Sequence, residues 1–295
     1  MNKKIAITTG DKKGIGKELV EKALLKLNLP KENVVIIGEK IDALNYETIE
    51  IKIENNGDFC FESLKVACNL AKEGKISAIV TSPVSKKVLH DAGHFYNGQT
   101  EVIEEHLKKD KDKAEMMFIT NDLRIMLLTR HVALKDIKIN KEMIVEKIIR
   151  LNKFLKEKCK IEKPKIGICA LNPHAGENGI LGDEEIKIIN PAINELRNIE
   201  IDIEDAKPAD SLFAKVGKKY LNNEKQDYDA VAVMYHDQGL TAVKALAFDK
   251  VVNTTIGLKV IRTSPSGGTA YDIAGKNIAD STSMQEAIKL ALELS

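Results

Sequence analysis

The sequence predicts an α/β fold in which a mainly parallel sheet carries helices on both faces, divided between two domains. Three observations predict it. Short apolar runs bounded by polar residues alternate with longer amphipathic stretches along the chain, the pattern of βα units. Several runs, such as Ala230-Val-Ala-Val-Met234 and Ser77-Ala-Ile-Val-Thr81, are apolar at successive positions, as strands covered on both sides must be. A chain of 295 residues is also long enough for two ordinary cores.

Lys4 to Thr8 reads as the first strand, and Gly10-Asp-Lys-Lys-Gly-Ile-Gly16 as a turn opening a helix to about Leu27. These glycines do not follow the G-x-G-x-x-G order, so the turn is read as structural and not as a phosphate cradle. Val34 to Gly38 is a second strand. Asp58 to Lys72 has helical spacing and is followed by Gly74, a C-terminal cap, and Ser77 to Thr81 is the next buried strand. Gly98-Gln-Thr-Glu101 opens a helix with Thr100 as N-cap. Met116–Thr120 and Leu123–Thr129 form a hairpin through Asn121-Asp122, followed by an amphipathic helix from Lys141 to Lys158. A strand ending near Ala170 leads into the irregular loop Asn172-Pro-His-Ala-Gly-Glu-Asn-Gly179 and a helix from about Asp183. Pro208 to Phe213 begins another helix, and the Ala230 strand is followed past Gly239 by a helix carrying Lys244. Val251–Thr255 and Val260–Thr263 are short strands. Ser264 to Gly275 is a glycine-rich turn into a helix, and Met284 to Leu294 is the closing helix.

Composition narrows the function. Hydrophobic residues make up 43% and charged residues 30%, the balance of a globular protein. The 45 basic and 44 acidic residues cancel, which removes the positive field that nucleic-acid binding requires. No apolar stretch reaches the roughly 20 residues that span a bilayer, and the N-terminus lacks a signal peptide's apolar centre, so a cytoplasmic protein with no membrane contact is expected. Cys60, Cys68, Cys159 and Cys169 show no C-x-x-C spacing and are expected as buried free thiols.

The chemistry concentrates at strand ends. Ligands of open α/β sheets sit beyond the carboxyl ends of strands, and His131, His174 and His236 each follow an apolar run there. Singly, such a histidine is more often a hydrogen-bonded structural residue, and the spacing matches no local metal motif, so the fold has to bring the three together. If they meet, they suit Zn²⁺, Co²⁺ or Mn²⁺ better than Mg²⁺, and such a Lewis acid would activate a hydroxyl beside a carboxylate. Lys244 and Arg262 offer positive charge for a phosphate or carboxylate, or are a solvated lysine and a surface ion pair. His90, His94 and His106 lie in polar or helical segments where surface roles suffice.

These blocks resemble the 4-hydroxythreonine-4-phosphate dehydrogenase family, within the wider isocitrate and isopropylmalate dehydrogenase fold. The resemblance runs through Gly10–Glu18, Gly98-Gln-Thr-Glu101, Thr129-Arg-His131, Leu171-Asn-Pro-His-Ala-Gly-Glu177, Pro208–Phe213, Met234-Tyr-His-Asp-Gln-Gly-Leu240, Asn253–Leu258 and Ile261–Ser264. It implies two α/β/α domains, 1–97 with 256–295 and 98–255, an interdomain cleft, and a homodimer whose active site is shared between subunits. It implies that His131, His174 and His236 bind the divalent metal, that Thr100, Lys244, Asn253 and Arg262 contact a phosphorylated hydroxy acid, and that Gly268, Thr269 and Asp272 lie in an NAD-binding turn at a helix N-terminus. The family oxidises the substrate's C3 hydroxyl with NAD and then releases its carboxylate, giving 3-amino-2-oxopropyl phosphate for pyridoxal phosphate synthesis. Lys244 and Asp237 are the candidates for moving the hydroxyl proton.

Two departures bear on specificity. Gln99 replaces a substrate-contacting histidine of the family, and Ser266-Gly-Gly268 stands where the family has Asp-His-Gly. The expected substrate is therefore 4-phosphohydroxy-L-threonine or a relative such as 4-phospho-D-threonate or 4-phosphoerythronate in sugar-acid catabolism. The competing expectation is an inactive homologue that binds a metal and a phosphorylated ligand.

Overall fold

The computed structural model describes residues 4–109 and 112–295. By internal contacts the chain divides into a first unit, 1–114 with 249–295, and a second, 115–248, which is narrower than the 98–255 span expected from the sequence. Gln99, Thr100 and Asn253 accordingly belong to the first unit.

The first unit begins with β1 (Ile5–Thr8), α1 (Gly16–Leu27), β2 (Val34–Gly38), β3 (Glu47–Glu50), α2 (Asn56–Lys72), β4 (Ala78–Thr81), α3 (Lys86–Asp91) and α4 (Gln99–Leu107). β1, β2 and β4 are buried at every residue, as their apolar runs require. Successive side chains of a strand face opposite ways, so Ile5 and Ile7 join Val34, Ile36, Ala78 and Val80 against α1, while Ala6 joins Val35, Ile37 and Ile79 against α2 and α4. A slip of one residue would exchange the two faces, so packing fixes the register. Asn55 caps α2 by accepting from the Gly57 and Asp58 amides, and Gly74, at φ +72°, follows its end.

The second unit holds β5 (Glu115–Thr120), β6 (Leu123–Leu127), α5 (Lys141–Glu157), β7 (Lys165–Ile168), α6 (Asn190–Asn198), β8 (Asp202–Ile203), α7 (Ala209–Leu221), β9 (Ala230–Val233) and α8 (His236–Ala247). Its strand order is β5-β6-β9-β7-β8, parallel except for the β5–β6 hairpin. Asn121 closes that hairpin at φ +48°, a conformation asparagine tolerates. Asn140 caps α5 through the Met143 amide.

The chain then returns to the first unit with β10 (Val252–Ile256), β11 (Ile261–Pro265) and α9 (Thr282–Glu293). There the strand order is β3-β2-β1-β4-β11-β10, with only β10 antiparallel to its neighbour. α9 packs beside α1 on the Ile5 face. Among the described residues no helix is long and apolar enough to cross a membrane.

Four expectations need correction. Thr100 is not the N-cap of α4; Gly98 is, and Thr100 lies buried inside the first turn. No helix starts at Gly268, Thr269 and Asp272: residues 271–277 are turns, because Ala270, Gly275 and Asn277 take left-handed backbone angles that interrupt a right-handed helix. Cys159 is half-buried, unlike Cys60, Cys68 and Cys169. His94 is only partly exposed and does more than face solvent, since its Nε2 meets Asp58 Oδ1 at 2.8 Å and its ring stacks on Phe61 at 4.0 Å.

Candidate functional site

The order β6-β9-β7 sets three parallel strands side by side, so the segments leading to His131, His236 and His174 emerge at the same end. Bonds past the strand ends hold them there. Thr129 donates from its amide (3.1 Å) and Oγ1 (2.6 Å) to the Met234 carbonyl, joining the β6 exit to the β9 exit. The Cys169 amide donates to the Ala232 carbonyl at 2.9 Å. Beyond that bond Gln238 takes over, its Oε1 accepting from the Met234 amide and its Nε2 donating to the Ala170 carbonyl, both at 2.8 Å.

The rings of His131 and His236 come together, with centroids 5.6 Å apart. His236 Nδ1 lies 2.7 Å from Asp237 Oδ1. A carboxylate only accepts, so Nδ1 carries the hydrogen, which leaves Nε2 as the nitrogen that faces a metal when this ring ligates. Among the described residues of one chain no group of three or more His, Cys, Asp or Glu is placed to hold a metal. The donor chemistry of the His131–His236 pair therefore fits a divalent cation as part of a larger ligand set, and the structure does not bring His174 to it.

His174 is exposed on an unusual turn. From His174 to Asn178 all five residues adopt left-handed angles, including Ala175 (φ +54°) and Glu177 (φ +42°). Side-chain-bearing residues pay about 1 kcal/mol or more each for this. The surroundings hold it: Glu185, 3% exposed, accepts from the Leu171 and Asn172 amides at 2.8 Å and from Asn172 Nδ2 at 2.9 Å. Glycine is required at 176, where a Cβ would stand 2.7 Å from Glu185 Oε2 and from the Gly182 carbonyl.

In the first unit the end of β4 gathers the anion-binding candidates. Arg262, 4% exposed on β11, donates from Nε (2.8 Å) and Nη2 (2.6 Å) to Thr81 Oγ1. Burial pulls the guanidinium down to about 10, partly countered by the charge of Glu101. Gln99 donates Nε2 to the Ser82 carbonyl at 3.0 Å, which turns its buried Oε1 elsewhere without a partner. Asn253 Oδ1 is likewise buried and unpartnered, on a strand whose Thr255 pairs with Arg262. Thr100 is buried behind Gln99. Lys244 is half-buried about two turns along α8 from His236, and Asp237 is exposed.

The Gly268–Asp272 segment is fastened to the N-terminal turn. The Ile15 amide donates to the Thr269 carbonyl at 3.0 Å, and the Tyr271 hydroxyl bonds Asp11 Oδ2. Asp11 Oδ1 accepts from Asn56 Nδ2 at 2.7 Å. Gly267 and Gly268 have open space where a side chain would stand. Sequence reasoning missed Gln238, Glu185, Thr81 and Asp11. Only Gln238 carried a signal, as a glutamine in the first turn of a helix without a capping Ser, Thr, Asp or Asn.

Residues 4–291 match the model of the pyridoxal phosphate biosynthetic protein PdxA. The chain is 39% identical over 328 residues to the 4-hydroxythreonine-4-phosphate dehydrogenase of Sulfurihydrogenibium sp., covering 99% of this chain and 98% of that protein. It is 35% identical over 335 residues to the D-threonate 4-phosphate dehydrogenase of Pectobacterium atrosepticum, covering both completely at 100%. The crystal structure of 4-hydroxythreonine-4-phosphate dehydrogenase from Klebsiella pneumoniae superposes with a TM-score of 0.86 at 33% identity, over 100% of this chain and 99% of that one. Isocitrate dehydrogenase from Methylococcus capsulatus, at 15% identity and a TM-score of 0.55 over 99% of this chain and 85% of that one, shares the fold alone. With its strand ends, its histidine segments and its full-length match in agreement, the chain belongs to the PdxA family of dehydrogenases.

Proposed function

We propose that this protein oxidises the C3 hydroxyl of a phosphorylated C4 hydroxy acid with NAD and a divalent cation, and then releases the carboxylate as carbon dioxide. The observation that carries the reading is the exit of the His131, His236 and His174 segments from neighbouring parallel strands. The substrate is 4-phosphohydroxy-L-threonine or 4-phospho-D-threonate, the acids for which the relatives are named. Both carry a C4 phosphate and a C3 hydroxyl, and they differ at C2, an ammonium in one and a hydroxyl in the other. Gln99 puts an amide that does not titrate where the family has an imidazole, which favours a relative over 4-phosphohydroxy-L-threonine itself.

On this reading Arg262, Gln99, Thr100 and Asn253 contact the substrate, the buried guanidinium providing a charged donor to its phosphate or carboxylate. Lys244 or Asp237 takes the hydroxyl proton. His131, His174 and His236 would hold the cation, which supplies Lewis acidity when bound (Zn²⁺, or Mn²⁺, Co²⁺ or Mg²⁺). Oxidation at C3 leaves a β-keto acid, whose carboxylate departs readily. The open glycines at 267 and 268, with Thr269 and Asp272, admit close approach of NAD.

A homodimer completes the ligand set. Apolar side chains flanking two of the histidines are exposed, Val132 at 48% and Leu134 at 69% after His131, and Ile180 at 78% after His174. Exposed apolar side chains beside ligand segments suit burial against a second copy.

The test is NADH formation with 4-phosphohydroxy-L-threonine, 4-phospho-D-threonate and 4-phosphoerythronate, each with Zn²⁺, Mn²⁺, Co²⁺ or Mg²⁺. Turnover of one acid supports the reading, and no turnover with any combination defeats it. An inactive phospho-ligand binder would show ligand-induced thermal stabilisation without NAD affinity.

A further inference from the structure

The ladder between β7 and β9 stops short of the histidines. Its last backbone bond runs from the Cys169 amide to the Ala232 carbonyl; the Ala170 amide faces the opposite side and bonds the Lys207 carbonyl at 2.8 Å, and the Leu171 amide, next in line for β9, donates instead to Glu185 Oε1 at 2.8 Å. Past this point nothing in the backbone pairing fixes the Leu171–His174 segment to the Met234–His236 segment. Gln238 spans the gap. Its amide meets a donor at one end, the Met234 N–H, and an acceptor at the other, the Ala170 carbonyl. Only one orientation of the amide satisfies both, so the side chain is locked. The Met234 carbonyl is meanwhile bonded by Thr129, so a single residue is tied through its amide and its carbonyl to the exits that lead to His174 and His131.

We propose that Gln238 is a positioning residue: its amide cross-links the ends of β9 and β7 and thereby fixes the segments that carry His236 and His174 in the positions from which each enters a ligand set shared with a second copy. It touches neither substrate nor cofactor. The inference rests on the reading of the three histidines as metal ligands, and it adds a requirement that the ligands themselves do not express. Asparagine is too short to reach both partners, glutamate offers no donor to the Ala170 carbonyl, and leucine offers neither bond.

The test measures metal affinity of the full-length folded protein by competition with a chromophoric chelator, using Zn²⁺ and Co²⁺, whose visible absorption with Co²⁺ also reads ligand geometry. Compared are the wild type, Gln238→Leu, Gln238→Glu, His174→Ala and Ile148→Val, the last a core change on α5 that lowers stability away from the histidines. Expected are a roughly 10- to 100-fold weaker Kd in both Gln238 variants, the range for groups that orient metal ligands indirectly. An altered Co²⁺ spectrum should accompany it, with an unchanged Kd in Ile148→Val. kcat should fall while KM for NAD holds. Gln238→Glu, which keeps the Met234 bond and the side-chain volume, carries the test if the leucine variant does not fold. If His174→Ala abolishes binding but both Gln238 variants stay within threefold of wild type, or if Ile148→Val weakens binding as much, the positioning role is wrong and the metal reading stands. If the wild type binds neither ion, or His174→Ala binds as well as wild type, the metal reading fails and the inference with it.

Discussion

Arg262 should cost the fold stability that the site recovers as function. The guanidinium is 4% exposed, donates to one hydroxyl, Thr81 Oγ1, and is partly offset by the charge of Glu101. Burial lowers it to about 10, well below the ordinary guanidinium value. At about 1.4 kcal/mol per unit, the charged form is disfavoured by roughly 3 kcal/mol in the folded chain. A cation whose folded value is depressed penalises folding fully at any pH below about 10, and the penalty fades as pH rises from there towards the ordinary guanidinium value, so it is constant across pH 6–9. Arg262→Met removes the penalty but orphans the buried Thr81 hydroxyl, which costs about 1–2 kcal/mol. The double variant Thr81→Val/Arg262→Met avoids the orphan and should be more stable than wild type by about 2 kcal/mol in urea unfolding at pH 7.5, with an unchanged m-value. Affinity for the phosphorylated substrate should fall about 10- to 100-fold, the worth of a charge-assisted hydrogen bond. A double variant less stable than wild type would refute the argument, because the buried charge would then be compensated within the fold.

Three further outcomes follow from the same geometry. Glu185→Gln keeps the shape but sets an amide donor against Asn172 Nδ2 or the loop amides; it should lose about 2 kcal/mol, a Tm drop of several degrees in a thermal melt. Ala175→Gly should raise Tm by relieving a left-handed alanine worth about 1 kcal/mol, whereas Gly176→Ala should lower it more, since its Cβ would press on Glu185 and Gly182. Burial pushes the thiols of Cys60, Cys68 and Cys169 up to about 12, so iodoacetamide at pH 8 should modify at most Cys159 in the folded protein, as counted by intact mass.

The elements legible in the sequence were those whose local pattern and tertiary role agree. β4 and β9 are apolar at successive positions because helices cover the sheet, and Asn121 marks a turn by its own chemistry. Weak local patterns hid the rest. β3 and β8 are short and partly charged, and α8 starts at Tyr235-His236 without a capping side chain. The glycines near 268 imitate a helix start, but the backbone beyond them turns left-handed. The histidines were visible at strand ends, while their neighbourhood depends on β9 lying between β6 and β7, a pairing of distant segments that spacing does not encode. Gln238 was missed for the same reason, since its partner Ala170 belongs to another strand.

The division of the chain also bears on the order in which it folds. Residues 115–248 form one uninterrupted unit, whereas the other is assembled from 1–114 and 249–295. Within the latter β4 needs β11 as its neighbour and α1 needs α9. On the ribosome the inner segment can therefore reach its native state while the outer one waits with the flank of β4 unpaired. A nascent chain stalled before β11 would present that bare strand edge to other chains, and chaperone demand should be greatest in this interval.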